Sequence, residues 1–208
     1  MKLPETVTYT TGNYDKYVYD EQNRIKTIVS YNQEGIIANT ETFTYNGNDL
    51  VKREAEGLTM EFTKTETGIT IKRSWTNGIV VISTLDLDSN GLPVEHKESD
   101  DEHGFAIVTS YQIYGGNLIN LSIKQKFDDG TILEHNNTTY KYGTDKSPFY
   151  HCETPKWFLF WFSNFTGSQN NIIEQTWGEN KGKYEYIFDN AGFPVVSLNN
   201  CYNSSGFL

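Results

Sequence analysis

Along most of the chain hydrophobic and polar residues alternate, and turns bearing Gly, Asn or Asp cut the alternation at short intervals. That is the period and spacing of antiparallel β-hairpins. The pattern is clearest in the middle. Phe105, Ile107, Thr109, Tyr111 and Ile113 predict one face of a strand, and Ile119, Leu121, Ile123 and Phe127 one face of the next, on either side of Gly115-Gly116-Asn117. Further turns are expected at Thr67-Gly68, at Asn77-Gly78 and over 32–35, 46–48 and 128–130. Asn-Gly supplies the positive φ angles of a two-residue hairpin, and the turns together predict about a dozen strands. Strands adjacent in sequence pair in space, so the expected fold is mainly β: a large antiparallel meander curled into a barrel or half-barrel.

A degenerate phrase underlies the pattern: aromatic-x-aromatic, Asp or Asn, a turn, then aliphatic residues. It occurs at Tyr17-Val-Tyr19-Asp20, at Phe43-Thr-Tyr45-Asn46 and at Tyr184-Glu-Tyr186-Ile-Phe188-Asp189, and its closest copies are Asp88-Ser-Asn-Gly91-Leu-Pro-Val94 and Asp189-Asn-Ala-Gly192-Phe-Pro-Val195. Residues 1–208 therefore read as a single β domain of hairpin repeats. One segment breaks the alternation. Over 154–165 a Thr at an N-cap position, a Pro at the first helical position and a run of Trp and Phe predict a short helix. Its rings cover nearly the whole circumference, so it should plug the concave side of the sheet.

Hydrophobic residues make up only 37% of the 208, but Tyr 14 and Phe 12 supply the contact area of a sheet with one buried and one wet face. A net charge of −10 argues against a nucleic-acid partner, which needs clustered Lys and Arg. The start of the chain shows no secretory apolar region, and no stretch approaches the roughly 18 apolar residues of a spanning helix. Cys152 and Cys201 could form a single disulfide or stay as two thiols.

Little of the sequence reads as chemistry. Asp86, Asp88 and Asn90, followed by Gly91, match the first half of a calcium loop, but the closing position is Lys97 and the shared element is a hairpin turn. The run over 95–103 holds His96, His103 and five carboxylates, and reads as a solvated loop without fixed ligand spacing. His151 and Cys152 are adjacent in an extended segment and so point apart. No nucleophile, phosphate-loop or zinc motif is present; the expectation is a non-catalytic protein without cofactor. Trp157, Trp161, Tyr111 and Tyr184 are the candidate ligand contacts, set against the alternative that their rings only pack.

The repeated Tyr-x-Tyr-Asp phrases, the ending Asp189-x-x-Gly192-Phe-Pro-Val195 and the Lys146-Ser-Pro-Phe149-Tyr150 stretch before the aromatic helix give this chain a resemblance. It resembles an uncharacterised family of secreted or lipid-anchored proteins of Gram-negative gut bacteria, a domain of unknown function with a porin-like fold. Its turns are also similar to the tyrosine-aspartate repeats of large bacterial toxins and surface proteins. The resemblance implies export to the periplasm or cell surface, with membrane attachment through an N-terminal lipid anchor that this sequence does not contain. It brings no activity and no site residues. The expected role is a binding or scaffold module for a small molecule, glycan, lipid or surface protein. The alternatives are a carbohydrate-acting enzyme using a carboxylate pair and an outer-membrane β-barrel. Against the barrel, Lys52, Arg53, Glu54, Glu61, Lys72 and Arg73 place charge on both faces of the early strands.

Overall fold

In the computed structural model, which describes residues 3–9, 11–188, 190, 194–203 and 206–207, the turns set the architecture. Six connections share one form. The first residue's N–H donates to the carbonyl of the fifth, and the fourth residue's N–H donates to the carbonyl of the first: Tyr9 to Asn13, Asp20 to Arg24, Asn32 to Ile36, Trp75 to Ile79, Asp88 to Leu92 and Phe127 to Thr131. This geometry forces the fourth residue to positive φ, from 63° at Asn23 to 88° at Gly78 and Gly130. Only Gly, or Asn at some cost, takes that conformation readily, which is why the sequence phrase carries Gly or Asn there. The copy at Asp189-Gly192 lies outside the described residues.

These turns join β1 (Thr6–Thr8), β2 (Tyr14–Tyr19), β3 (Ile25–Tyr31), β4 (Ile37–Asn46), β5 (Asp49–Ala55), β6 (Leu58–Lys64), β7 (Gly68–Trp75) and β8 (Val80–Leu87). The meander continues through β9 (Pro93–Asp100), β10 (Phe105–Tyr114), β11 (Asn117–Phe127) and β12 (Ile132–Lys146). After the helix come β13 (Asn170–Trp177), β14 (Asn180–Phe188), β15 (Pro194–Asn203) and β16 (Gly206–Phe207). All sixteen belong to one antiparallel sheet in chain order. The count exceeds the dozen expected, partly because β1 and β16, three and two residues long, are too short to show a period.

The helix α1 (Lys156–Ser163) is followed by a 3₁₀ turn, Asn164–Gly167. It shows how far the sheet curls. Phe158 meets Phe43 of β4 at 5.7 Å between ring centroids, and Trp161, one turn later, meets His96 of β9 at 5.7 Å. In a flat sheet β4 and β9 would stand about 24 Å apart at ~4.8 Å per strand, yet residues three apart on a helix are separated by only about 5–6 Å. The strands therefore bend round the helix. Among the described residues no pairing joins β1 to β16, so the sheet is curled and not closed. Trp157, Phe158, Leu159 and Phe160 are buried in a core drawn from β3 to β13.

Three sequence expectations are corrected. The helix is shorter than 154–165, and Thr154 does not cap it. Instead the Thr154 Oγ1 accepts the backbone N–H of Ile25 at 2.8 Å, tying the start of the helix to β3, while the Pro155 carbonyl accepts from Phe158 and Leu159. On β11 a bulge opposite Gln112 and Ile113 turns Leu118 inward, at 0% exposure, and leaves Ile119 outside. The charged run over 95–103 is mostly not a loop. Pro93–Asp100 is strand β9, paired on both sides.

Candidate functional site: the polar tier above the helix

Alternation on the curled strands sends one set of side chains outward and the other inward. The outward set mixes charged rows with exposed aliphatic side chains such as Ile82, Ile119 and Ile187. Lys52, Glu61 and Lys72 lie side by side on β5, β6 and β7, with Lys72 Nζ 2.9 Å from Glu61, and Glu174 lies 2.8 Å from both Lys141 and Lys181.

The inward set divides into two tiers. At the lower end Ile25, Leu50, Ile69, Leu85 and Leu118 close on the helix. Above Phe158 and Trp161 the inward residues turn polar. Glu41 on β4 and Arg53 on β5 are 8% and 7% exposed and form a bidentate pair, with Arg53 Nε donating to Glu41 Oε2 at 2.9 Å and Arg53 Nη2 2.8 Å from Glu41 Oε1. Asn39 donates to the same carboxylate at 3.2 Å, and Arg53 Nη1 donates to the Met60 sulfur. The Arg53 guanidinium lies 4.7 Å from the ring centroid of Phe162, whose other neighbour is Phe158, stacked at 5.0 Å. Phe162 remains 38% exposed.

A second ion pair lies further along the curled sheet. Arg73 on β7 is ion-paired with Glu98 on β9 and sits 5.8 Å from the Trp75 ring. Its Nε is buried and has no hydrogen-bond partner, the only such side-chain nitrogen or oxygen among the described residues. Beside it His96 is hydrogen-bonded to Ser83 at 3.0 Å and packs edge-on against Trp161. Burial pulls the His96 imidazole down to about 4, against an upward pull from Glu98, and the Arg73 charge lowers it further.

A pH dependence follows. The folded value lies below the ordinary 6.5, so this contribution to stability is complete above pH 6.5 and is lost as pH falls towards 4. The expected loss is about 3 kcal/mol at the acid end of that window. Urea melts of wild type and His96→Gln between those limits check it: the variant's profile should be flatter, and equal slopes would refute the assignment.

The residues singled out from sequence are only partly brought together. Trp157 and Trp161 both touch Phe62, at 5.4 and 6.1 Å, from the same helix. Tyr111 is buried on β10, and Tyr184 on β14 donates its hydroxyl to Gln175 at 2.8 Å, so both lie on strands and not on the helix that carries the tryptophans. Burial, with Tyr140 nearby, raises the Tyr111 hydroxyl well above its ordinary value. Asp88 Oδ1 accepts the backbone N–H groups of Asn90 and Leu92 at 2.8 and 2.9 Å, and these bonds, led by that from Leu92, hold its carboxyl below the usual range. Asp86 lies on β8, and no cluster of three His, Cys, Asp or Glu able to hold a metal occurs among the described residues. Cys152 is a buried free thiol; the side chain of Cys201 lies outside the described residues. Glu41, Arg53, Arg73, His96, Glu98 and Phe162 were not read as a site from sequence. For the five on strands the one shared signal is inward parity, visible only once the register is known, while Phe162 lies on the helix among other aromatic residues.

No protein-family model matches the chain, and no curated protein does. Among solved structures, the crystal structure of a porin-like protein from Bacteroides uniformis matches with a TM-score of 0.61 at 16% identity, over 92% of this chain and 82% of that one. The likeness is one of fold: the curled antiparallel sheet implied by the family resemblance is found in a protein of a gut bacterium.

Proposed function

We propose that this protein is a non-catalytic binding module of a bacterial envelope, and that its ligand is a glycan held on the polar tier above helix α1. One observation carries the reading. Arg73 Nε is a buried donor without an acceptor, in a tier where the other charged groups are paired. Buried polar groups are almost always satisfied, so an acceptor oxygen belongs there. A polyhydroxylated ligand supplies such oxygens, and the half-buried Trp161 and the exposed edge of Phe162 supply apolar contact beside them. The porin-like likeness supports an envelope location. The outward Lys and Glu rows favour water round the convex face, since each Lys facing lipid at the midplane of a bilayer would cost about 2–4 kcal/mol.

The test is a thermal-shift screen against glycans, lipids, haem and divalent metals. A glycan at 100 times its dissociation constant should add about 2.7 kcal/mol of stability. Arg73→Lys keeps the charge beside Glu98 but removes the Nε–H; it should fold normally and bind the same glycan several-fold more weakly. A flat response to every glycan would overturn the reading.

A further inference from the structure

The β5–β6 pairing begins at Ala55↔Leu58 and stops at Lys52↔Glu61, so the strand ends over 49–51 and 62–64 leave the ladder. Between them, at the opposite end of helix α1 from the polar tier, a cavity of about 90 Å³ is lined by Leu50, Val51, Phe62, Ile69 and Trp157, with Asn46, Asp49 and Lys64 also around it. Asp49 and Lys64 are joined by a loose ion pair of 3.5 Å between side chains 61% and 69% exposed, a contact weak enough to open.

Trp157 makes this more than a packing defect. It is 8% exposed, and among the described residues its indole N–H meets no acceptor, whereas buried Trp N–H groups usually find one. It is also not among the fully sealed, unpartnered atoms, so the nitrogen keeps solvent access on a residue that lines the cavity.

We propose that this cavity binds a short acyl group, its carbon end against Leu50, Phe62 and Ile69 and its carbonyl oxygen accepting from the Trp157 indole. The size sets the upper limit: a cavity of about 150 Å³ holds benzene, so this one takes something smaller. The buried walls are apolar and exclude a hydrated ion, and the indole N–H, the one side-chain donor among the buried lining residues, calls for an acceptor. Two sources carry that chemistry, the acetamido group of an N-acetylated sugar and a free short-chain carboxylate. The Lys64 ammonium at the mouth distinguishes them, because only the carboxylate carries a charge for it to pair. The inference does not rest on the glycan reading of the polar tier.

The experiment follows the indole N–H resonances of the full chain by NMR during titration with N-acetylglucosamine, butyrate and, as a probe without an acyl group, glucose. The Trp157 signal is assigned by Trp157→Phe, or by its proximity to the Leu50 and Ile69 methyl groups if that variant does not fold. The expected result is a saturable shift of the Trp157 signal with one acyl probe or both, and none with glucose. Lys64→Ala should weaken butyrate several-fold and leave N-acetylglucosamine unchanged. No saturable shift with either acyl probe, or an equal shift with glucose, overturns the proposal.

Discussion

Phe158→Ala should cost about 3–5 kcal/mol of stability, the range for emptying the place of a fully buried phenylalanine. Phe158 is 0% exposed and has four aromatic neighbours within 6 Å between centroids: Phe43 and Phe62 edge-on from the sheet, Trp157 edge-on from its own helix, and Phe162 stacked on it. The loss cannot be absorbed locally. An eight-residue helix does not hold together by itself, so α1 exists because its rings are gripped from several strands. Removing the central ring frees the helix as well as the cavity, and the strands that curl round it lose their common support. Phe162→Ala, at the exposed edge, serves as the control and should cost much less. Chemical denaturation of both variants tests this. Equal, small losses would mean that the sheet holds its curl without the helix.

Much of the fold was legible because its determinants are local. A turn such as Asp88 to Leu92 is specified by residues within five positions, with the Asp accepting two backbone N–H groups and the Gly taking positive φ, so the hairpins follow from the text of the chain. The helix was legible for a related reason: a run of rings cannot alternate between water and core. What escaped depends on partners far away in sequence. Glu98 reads as one more charge in an acidic run until β9 is laid beside β8 and β7, which brings it to Arg73, 25 residues earlier. Glu41 and Arg53 are likewise unremarkable singly, and their burial is set by the register of β4 and β5. Bulges add a further layer. One extra residue in β11 exchanges Ile119 for Leu118 on the inner face, and alternation counted along the sequence cannot place it.

The second large effect is expected at that pair. Arg53→Ala should destabilise by about 3–5 kcal/mol, because it strands the Glu41 carboxylate, 8% exposed, with Asn39 as its remaining hydrogen-bond donor among the described residues. Glu41→Leu should cost a similar amount by stranding the guanidinium. The double variant, Glu41→Leu with Arg53→Met, should recover most of that loss. Replacing both members of a buried ion pair by apolar groups of similar size is often neutral, since the desolvation cost disappears along with the attraction. A double-mutant cycle read by denaturation measures the coupling, and additive losses in the double variant would show that the pair is not acting as a unit. The same variant separates stability from function. If it is as stable as wild type yet no longer responds to the glycan that stabilises wild type, the pair is there to present polar groups to a ligand. If it keeps that response, the polar tier owes its ligand to Arg73 and Glu98 alone.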